Sequence, residues 1–396
     1  MKKVTIIGMG LGESTITTEA KEAVARADAA LGAPRALELC KGMAKRLYPC
    51  YLPEDVAAVV ENEDGQEFAV LVSGDVGFYS AAQGLVEALS AYDLRFIPGV
   101  STVSAFFARL KLPWQNAAFI SAHGREMNVV DTVRRNRLTF CLTGNNINDI
   151  CAALCKAGFA DIKVHIGENL GADQERTYEA TVDDLTRGEF PSLTVMLFVN
   201  EVYDDRTPFG LTDTSFSRLP GIPMTKSETR AIILSGLNLR PDSVCWDIGA
   251  GTGSVTVEMA LNAYRGHVYA VERREDAIPL IEQNLKAFHV GNVTLLRGEA
   301  PVVLKALPIP DAVFIGGSGG KLNEIVAAVL HKNPDARIIV AAVTLETVSA
   351  ALSVFAGFGL TPEVVQLNVA RAKQAGSLHL MEAQNPVTIL SAGGKP

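Results

Sequence analysis

The sequence predicts an α/β protein of two domains, each built on a mainly parallel sheet, and three observations carry this. Short apolar runs end in glycine-bearing turns and pass at once into helix-like stretches, at Lys3-Val-Thr-Ile-Ile-Gly-Met-Gly, at Ala69-Val-Leu-Val-Ser-Gly-Asp and at Val244-Cys-Trp-Asp-Ile-Gly-Ala-Gly. Strand-turn-helix units at this spacing favour a parallel sheet whose ligands gather outside the carboxyl ends of the strands. The 396 residues exceed one ordinary core and suit two domains of about 200 residues. A polar, proline-marked stretch without sustained period separates the halves, so residues 1–205 and 219–396 are expected as domains and 206–218 as the linker.

In the first domain, the strand from Lys3 runs into alternating glycines at Gly8, Gly10 and Gly12. Thr18 to Ala27 is alanine-rich with apolar spacing of three and four, which predicts a helix with Thr18 as N-cap. Ala69 to Ser73 is a buried-type strand, followed by a Gly74-Asp75 turn and a helix through Leu89; Asp75 serves the turn or caps the helix. Leu94 to Ile97, the turn Pro98-Gly99 and a helix capped near Ser101 repeat the plan. Leu138 to Leu142 and Thr194 to Val199 read as further strands, the second closing the domain.

The second domain opens with a helix through Leu237, with Thr225 at its N-cap and Glu228 three residues later as in a capping box. Strands follow at Val244 to Ile248, His267 to Glu272, Val293 to Arg297, Asp311 to Ile315 and Arg337 to Val343, with a helix from Ser254 to Asn262. The end suits an antiparallel pair, Glu363 to Ala370 with Pro386 to Leu390. The run Gly316-Gly-Ser-Gly-Gly320 lacks the residues that complete a P-loop, so it reads as a strand-end loop that a flat substrate can approach.

Composition narrows the function. A net charge of -8 with no block of basic residues argues against a nucleic-acid partner. No apolar run approaches the roughly 18 residues of a membrane span, and the start carries no cleavage pattern, so a cytoplasmic protein with no membrane contact is expected. Cysteines at 40, 50, 141, 151, 155 and 245 show no paired C-x-x-C spacing. They read as thiols in a reducing compartment, with no metal site.

The most informative stretch is Asp247-Ile-Gly-Ala-Gly-Thr-Gly253. Its glycines let the backbone turn sharply and approach a ligand at a helix N-terminus. A dinucleotide fingerprint would need glycine at Ser254. Glu272 ends the next strand 23 residues past Gly249, where a carboxylate meets ribose hydroxyls in a Rossmann-like sheet. The motif resembles that of Rossmann-like S-adenosyl-L-methionine (AdoMet) methyltransferases.

The first-domain turns at 8–12, 74–75 and 98–101, with Ser121-Ala-His-Gly-Arg125 and Ile166 to Thr177, resemble the tetrapyrrole methylase family of the CbiE type. Leu11, Glu13 and Val76 depart from residues common in that family. The resemblance implies two α/β subdomains with AdoMet in a trough between them. Motif matching puts Ser73, Gly74, Asp75, Phe78, Ser101, Thr102 and Leu142 along it.

From residue 219 onward, Pro223-Met-Thr-Lys226, Glu228, Arg230, the glycine turn, Gly298-Glu-Ala-Pro301, Ile315 to Gly320 and Asn385-Pro-Val387 resemble the CbiT type of corrin-pathway methyltransferase. That resemblance implies a Rossmann-like class I methyltransferase fold with a seven-stranded sheet. It assigns AdoMet contacts to Thr225, Gly249, Ala250, Gly251, Thr252, Gly253, Glu272, Glu299 and Ala300.

The two together resemble the fused precorrin-6Y C5,15-methyltransferases (decarboxylating). The expectation is one AdoMet per domain, methylation of a reduced tetrapyrrole at C5 by the first domain and at C15 by the second. Loss of the ring C acetate carboxyl accompanies the second step and gives precorrin-8. A cobalt-bearing substrate stays open as an alternative, as does an RNA or protein methyltransferase. A carbon nucleophile needs alignment more than acid-base help, and no catalytic residue is assigned. The substrate's carboxylates call for cations, and the candidates are Arg125, Lys226, Arg230, Arg371, Lys373 and His379, with His123 considered beside Arg125. A homo-oligomer is expected, as in both resembled families.

Overall fold

A computed structural model describes residues 1–122 and 128–394. The chain divides into two compact units: Met1–Arg125, Leu138–Asn148 and Ile162–Val199 form the first, and Glu126–Arg137, Asp149–Asp161 and Asn200–Pro396 the second. The units therefore do not follow chain order throughout. The helix Val129–Arg135 counts with the second unit, where Asn128 Nδ2 donates to Tyr264 O at 2.9 Å and Arg135 lies 4.6 Å from the Tyr264 ring.

In the first unit, β1 (Lys3–Gly8), β2 (Ala29–Gly32), β3 (Leu47–Tyr48), β4 (Glu67–Val72) and β5 (Asp93–Ile97) form a parallel sheet in the order β3-β2-β4-β1-β5. Successive side chains of β1 enter different cores. Val4 and Ile6 pack with Val56, Val60 and Leu85, whereas Ile7 packs with Val24 and Leu37. Burial on both faces is why this strand is apolar without alternation.

A second sheet comprises β6 (Ala118–Ser121), β7 (Leu138–Leu142), β8 (Lys163–Glu168), β9 (Arg176–Thr181) and β10 (Thr194–Val199), in the order β6-β7-β10-β8-β9. Only β6 and β7 run parallel in it.

Helix Thr102–Leu110 is capped by Ser101, whose Oγ accepts from Ser104 N at 3.0 Å, as its sequence predicts. Helix Thr18–Arg26 begins one residue away from expectation. Thr17, extended at ψ 154°, is its N-cap and accepts from Ala20 N at 3.1 Å, while Thr18 is already helical.

In the second unit, β11 (Val244–Ile248), β12 (His267–Glu272), β13 (Val293–Arg297), β14 (Ala312–Ile315), β15 (Arg337–Ala342), β16 (Glu363–Leu367) and β19 (Val387–Ala392) make a seven-stranded sheet. Its order is β13-β12-β11-β14-β15-β19-β16, and β19 runs antiparallel to both neighbours. The chain order reverses between β12 and β14 on either side of β11, the place where such sheets open a crevice. The hairpin β17 (Ala370–Ala375) and β18 (Leu378–Ala383) stands outside this sheet and is exposed along its length; the sequence reading missed it.

The helix Ser227–Leu237 corrects another expectation. Its N-cap is Lys226, with no side-chain cap bond, rather than Thr225. Ser227 N instead donates to Asp213 Oδ1 at 3.0 Å, and Glu228 turns to Arg371. A carboxylate from the preceding segment thus satisfies an end N–H that a threonine hydroxyl would otherwise take.

Candidate functional site

In the first unit, the turns after β1, β4 and β5 meet backbone to backbone. Gly10 N donates to Gly74 O at 3.0 Å and Gly74 N to Gly10 O at 2.9 Å. A Cβ on Gly99 would stand 2.2 Å from Gly74 O and 2.6 Å from Gly8 O, so no side chain fits there. Asp75 caps the turns rather than the next helix, which begins only at Ala82: Oδ2 accepts from Gly77 N at 2.8 Å and Oδ1 from Gly99 N at 3.3 Å.

These turns open onto a cavity of about 380 Å³. Ser73, Gly74, Asp75, Phe78, Ser101 and Thr102 line it, and Leu142 does so from the second sheet. All seven cofactor positions expected for this domain therefore converge. Thr143, Thr194 and Val195 add the second-sheet side, and Arg35 and Tyr79 also line the cavity. None of these five stood out in the sequence, because no glycine or motif marks them. His123 and Arg125 lie outside the described residues.

In the second unit, a cavity of about 310 Å³ lies at the ends of β11, β12, β13 and β14. Gly249, Gly251 and Gly253 have φ of 78°, 58° and 75°, the left-handed region that L side chains rarely enter. A Cβ on Gly249 would also stand 2.8 Å from Gly317 N.

Glu272 is held by the backbone. Its Oε2 accepts from Gly251 N at 2.8 Å, and Oε1 from Arg273 N at 2.8 Å and Arg274 N at 2.9 Å. Thr225, Gly249, Ala250, Gly251, Glu272, Glu299 and Ala300 line this cavity. Thr252 and Gly253 are corrections, since they are not in its lining. Thr252 is buried at 1% exposure, and Gly253 caps the helix Ser254–Asn262 against Ile281, 3.0 Å from where a Cβ would stand. The motif's third glycine serves the helix start.

Beneath this loop Asp247 is fully buried and accepts from the Thr256 hydroxyl. Burial pushes its carboxyl up to about 7, against that hydrogen bond, and the Glu272 charge adds to the rise. Glu299 is paired with Lys321 Nζ at 2.7 Å and Arg273 at 3.5 Å, and these cations hold its carboxyl below the usual range. Gly298 and the loop 316–319, both marked by the sequence motifs, also line it, and so do Arg273 and Arg274, which were not foreseen. The double arginine directly after Glu272 was the available signal.

The substrate candidates of this unit fare differently. Arg230 has 0% exposure, with Nε 2.7 Å from Glu258 and Nη1 3.1 Å from Asp213, and its other donors go to the carbonyls of Thr225 and Leu211. It is a core cation that ties the connecting segment to two helices, and no solute reaches it. Arg371 bonds Glu228 at 2.6 Å and Asp213 at 3.1 Å, so its guanidinium already holds carboxylates. Lys226 is half-buried at its cap, Lys373 lies 3.5 Å from Glu382, and His379 is exposed on β18. Among the described residues no His, Cys, Asp or Glu group is arranged to hold a metal, and no helix is long and apolar enough to cross a membrane.

Residues 3–186 match the family model of tetrapyrrole (corrin/porphyrin) methylases, and residues 220–393 that of the precorrin methyltransferase domain. Over 97% of its length the chain is 30% identical to the precorrin-6Y C(5,15)-methyltransferase [decarboxylating] of a Sinorhizobium species, covering 95% of that protein. A probable cobalt-precorrin-6B C(15)-methyltransferase (decarboxylating) of Pyrobaculum calidifontis is 43% identical over 46% of this chain and 95% of its own. A crystal structure of precorrin-6y C5,15-methyltransferase from Geobacter metallireducens is 41% identical over 47% of this chain and 97% of that one, with a TM-score of 0.45.

Proposed function

The chain belongs to the precorrin-6Y C5,15-methyltransferase (decarboxylating) family, and from that premise we propose that it methylates a precorrin twice in cobalamin biosynthesis. The first domain, residues 1–205, acts at C5, and the second, 219–396, at C15 with loss of carbon dioxide from the ring C acetate. The observation that carries this reading is that one chain holds two separate glycine-turn cavities, each at the carboxyl ends of parallel strands.

Each cavity takes one AdoMet, which supplies an electrophilic methyl group when bound. The residues fit such a guest. In the second domain three backbone N–H groups fix the Glu272 carboxylate, leaving acceptor capacity for vicinal hydroxyls. Gly249 and Gly251 present backbone where side chains would obstruct, and Ala250 lines the space between them. Glu299 and Ala300 line the same space from the end of β13. In the first domain Ser73, Gly74, Ser101 and Thr102 offer backbone and hydroxyl groups, while Phe78 and Leu142 give an apolar wall.

The chain's work is positional. The cavities orient donor and acceptor carbon, exclude water and let shape select the approach, effects worth several powers of ten when alignment is good. The tetrapyrrole itself accepts the electron pair released as carbon dioxide leaves.

Calorimetry with AdoMet should find two sites per chain. Incubation with AdoMet and a precorrin-6 substrate should yield, by mass spectrometry, two added methyls and one lost carbon dioxide. Absence of AdoMet binding would overturn the reading. The 43% identity to a cobalt-precorrin enzyme favours running the same assay with the cobalt-bearing substrate, and turnover of that form alone would assign the chain to cobalt-precorrin chemistry.

A further inference from the structure

Among the described residues that line the first unit's cavity, Arg35 is the one cation. It stands exposed in the short helix Pro34–Glu38, and its guanidinium has no hydrogen-bond or ion-pair partner among the described residues. Four other arginines of this unit, Arg46, Arg95, Arg109 and Arg176, each sit on a carboxylate, and Arg187, without a partner among the described residues, does not line the cavity. Asp75, the acid of the lining, turns both oxygens to backbone N–H groups of the turns and forms no ion pair with Arg35. A free guanidinium at a cavity edge is suited to a carboxylate, which it can hold through two parallel hydrogen bonds.

A second, independent feature lies in the same lining. Tyr79 is 47% exposed, yet its backbone sits at φ 46°, a conformation unfavourable for a bulky residue. The ring is held from two sides. Its hydroxyl donates to Phe119 O at 3.0 Å, and it meets Phe78 edge-on at 4.9 Å between centroids. An aromatic face kept half in solvent against a backbone cost is a surface for a flat, partly apolar partner.

We propose that Arg35 and Tyr79 form the substrate clamp of this cavity, Arg35 pairing with a peripheral carboxylate of the tetrapyrrole and Tyr79 packing against the macrocycle. The clamp rests on the reading of this cavity as the C5-methylating site. The methyl donor also carries a carboxylate, so the experiment separates the two sources.

Full-length Arg35→Gln, Arg35→Lys and Tyr79→Leu are compared with wild type by initial rates of C5 methylation at varied precorrin, and by calorimetry with AdoMet. Arg35→Gln should raise KM for the precorrin about tenfold or more, the effect of one charge-assisted hydrogen bond. Its kcat and the two AdoMet dissociation constants should stay within about twofold, a split that loss of folding does not give. Arg35→Lys should recover part of the loss, since it keeps the charge without the planar fork. Tyr79→Leu should raise KM severalfold, again at unchanged AdoMet affinity.

An unchanged precorrin KM in Arg35→Gln overturns the clamp. So does a weakened AdoMet constant with normal precorrin KM, which gives the guanidinium to the donor. Wild type that binds AdoMet but never methylates C5 sinks the underlying reading, and the clamp with it.

Discussion

In the first unit, three turns after β1, β4 and β5 lock through their own backbones, with Gly8, Gly10, Gly74 and Gly99 at their contacts, and the acid Asp75 spans two of them. In the second, one loop after β11 takes three left-handed glycines, and a carboxylate from the end of the neighbouring β12 holds it in place. In the first site a Cβ on Gly8 or Gly99 would meet the backbone of another turn, while Gly10 and Gly74 take left-handed φ of 65° and 68°. In the second, left-handed Gly249 and Gly251 also lie close to other segments, a Cβ standing 2.8 Å from Gly317 N and 2.7 Å from Pro223 O, and one side chain, Glu272, fixes the loop. The two cavities thus share left-handed glycines and close approach but differ in what locks them, interlocked turns in one and a single carboxylate in the other, and substitutions should separate them.

Gly249→Val should have the largest effect. It forces a β-branched residue to φ 78° and drives its Cβ into the Gly317 backbone. C15 methylation and carbon dioxide loss should fall about a hundredfold or more, and calorimetry should show one AdoMet site in place of two. Retention of both sites would break the comparison.

Gly99→Ala is its mirror in the first unit, where a single methyl would stand 2.2 Å from Gly74 O. C5 methylation should be lost to a similar degree while C15 chemistry persists on a C5-methylated substrate. If Gly99→Ala were as active as wild type, the interlocked-turn account of this site would be wrong.

Glu272→Gln tests the side-chain half of the contrast. Its amide nitrogen must confront N–H donors that now meet carboxylate oxygens, so AdoMet affinity at the second site alone should drop about tenfold. Equal weakening of both sites would count against it.

The smallest effect concerns pH. Burial raises the Asp247 carboxyl from 3.8 to about 7, so the folded protein holds this proton where the unfolded chain has released it. The contribution is therefore fully present below about pH 4 and is lost as pH rises towards 7. Asp247→Asn cannot titrate, so the difference between its Tm and that of wild type should grow in its favour from pH 5 to pH 8. A constant difference would show that Asp247 is already ionised at pH 5 in the folded protein.

Motif resemblance in the sequence pointed to most of the residues that the structure gathers around the two cavities. The seven first-domain positions from Ser73 to Leu142 line one cavity, and seven of the nine second-domain positions line the other. Thr252 and Gly253 do not line that cavity: Thr252 is buried, and a glycine that begins a helix has the same appearance in sequence as one that borders a ligand. The cations were harder still. Arg230 and Arg371 carry no local mark of the carboxylates that occupy them, since Glu258 and Asp213 come from distant segments. Arg35, with no motif around it, went unnoticed.

The sequence by itself determined the α/β class, most of the strand and helix positions and the glycine turns, because apolar period and allowed φ are properties of a few consecutive residues. Only the tertiary structure decided which charges are engaged and which stay free. That outcome depends on carboxylates and backbone N–H groups brought together across tens to hundreds of residues, as when Asp213 displaced Thr225 from the helix end and Glu272 closed on Gly251.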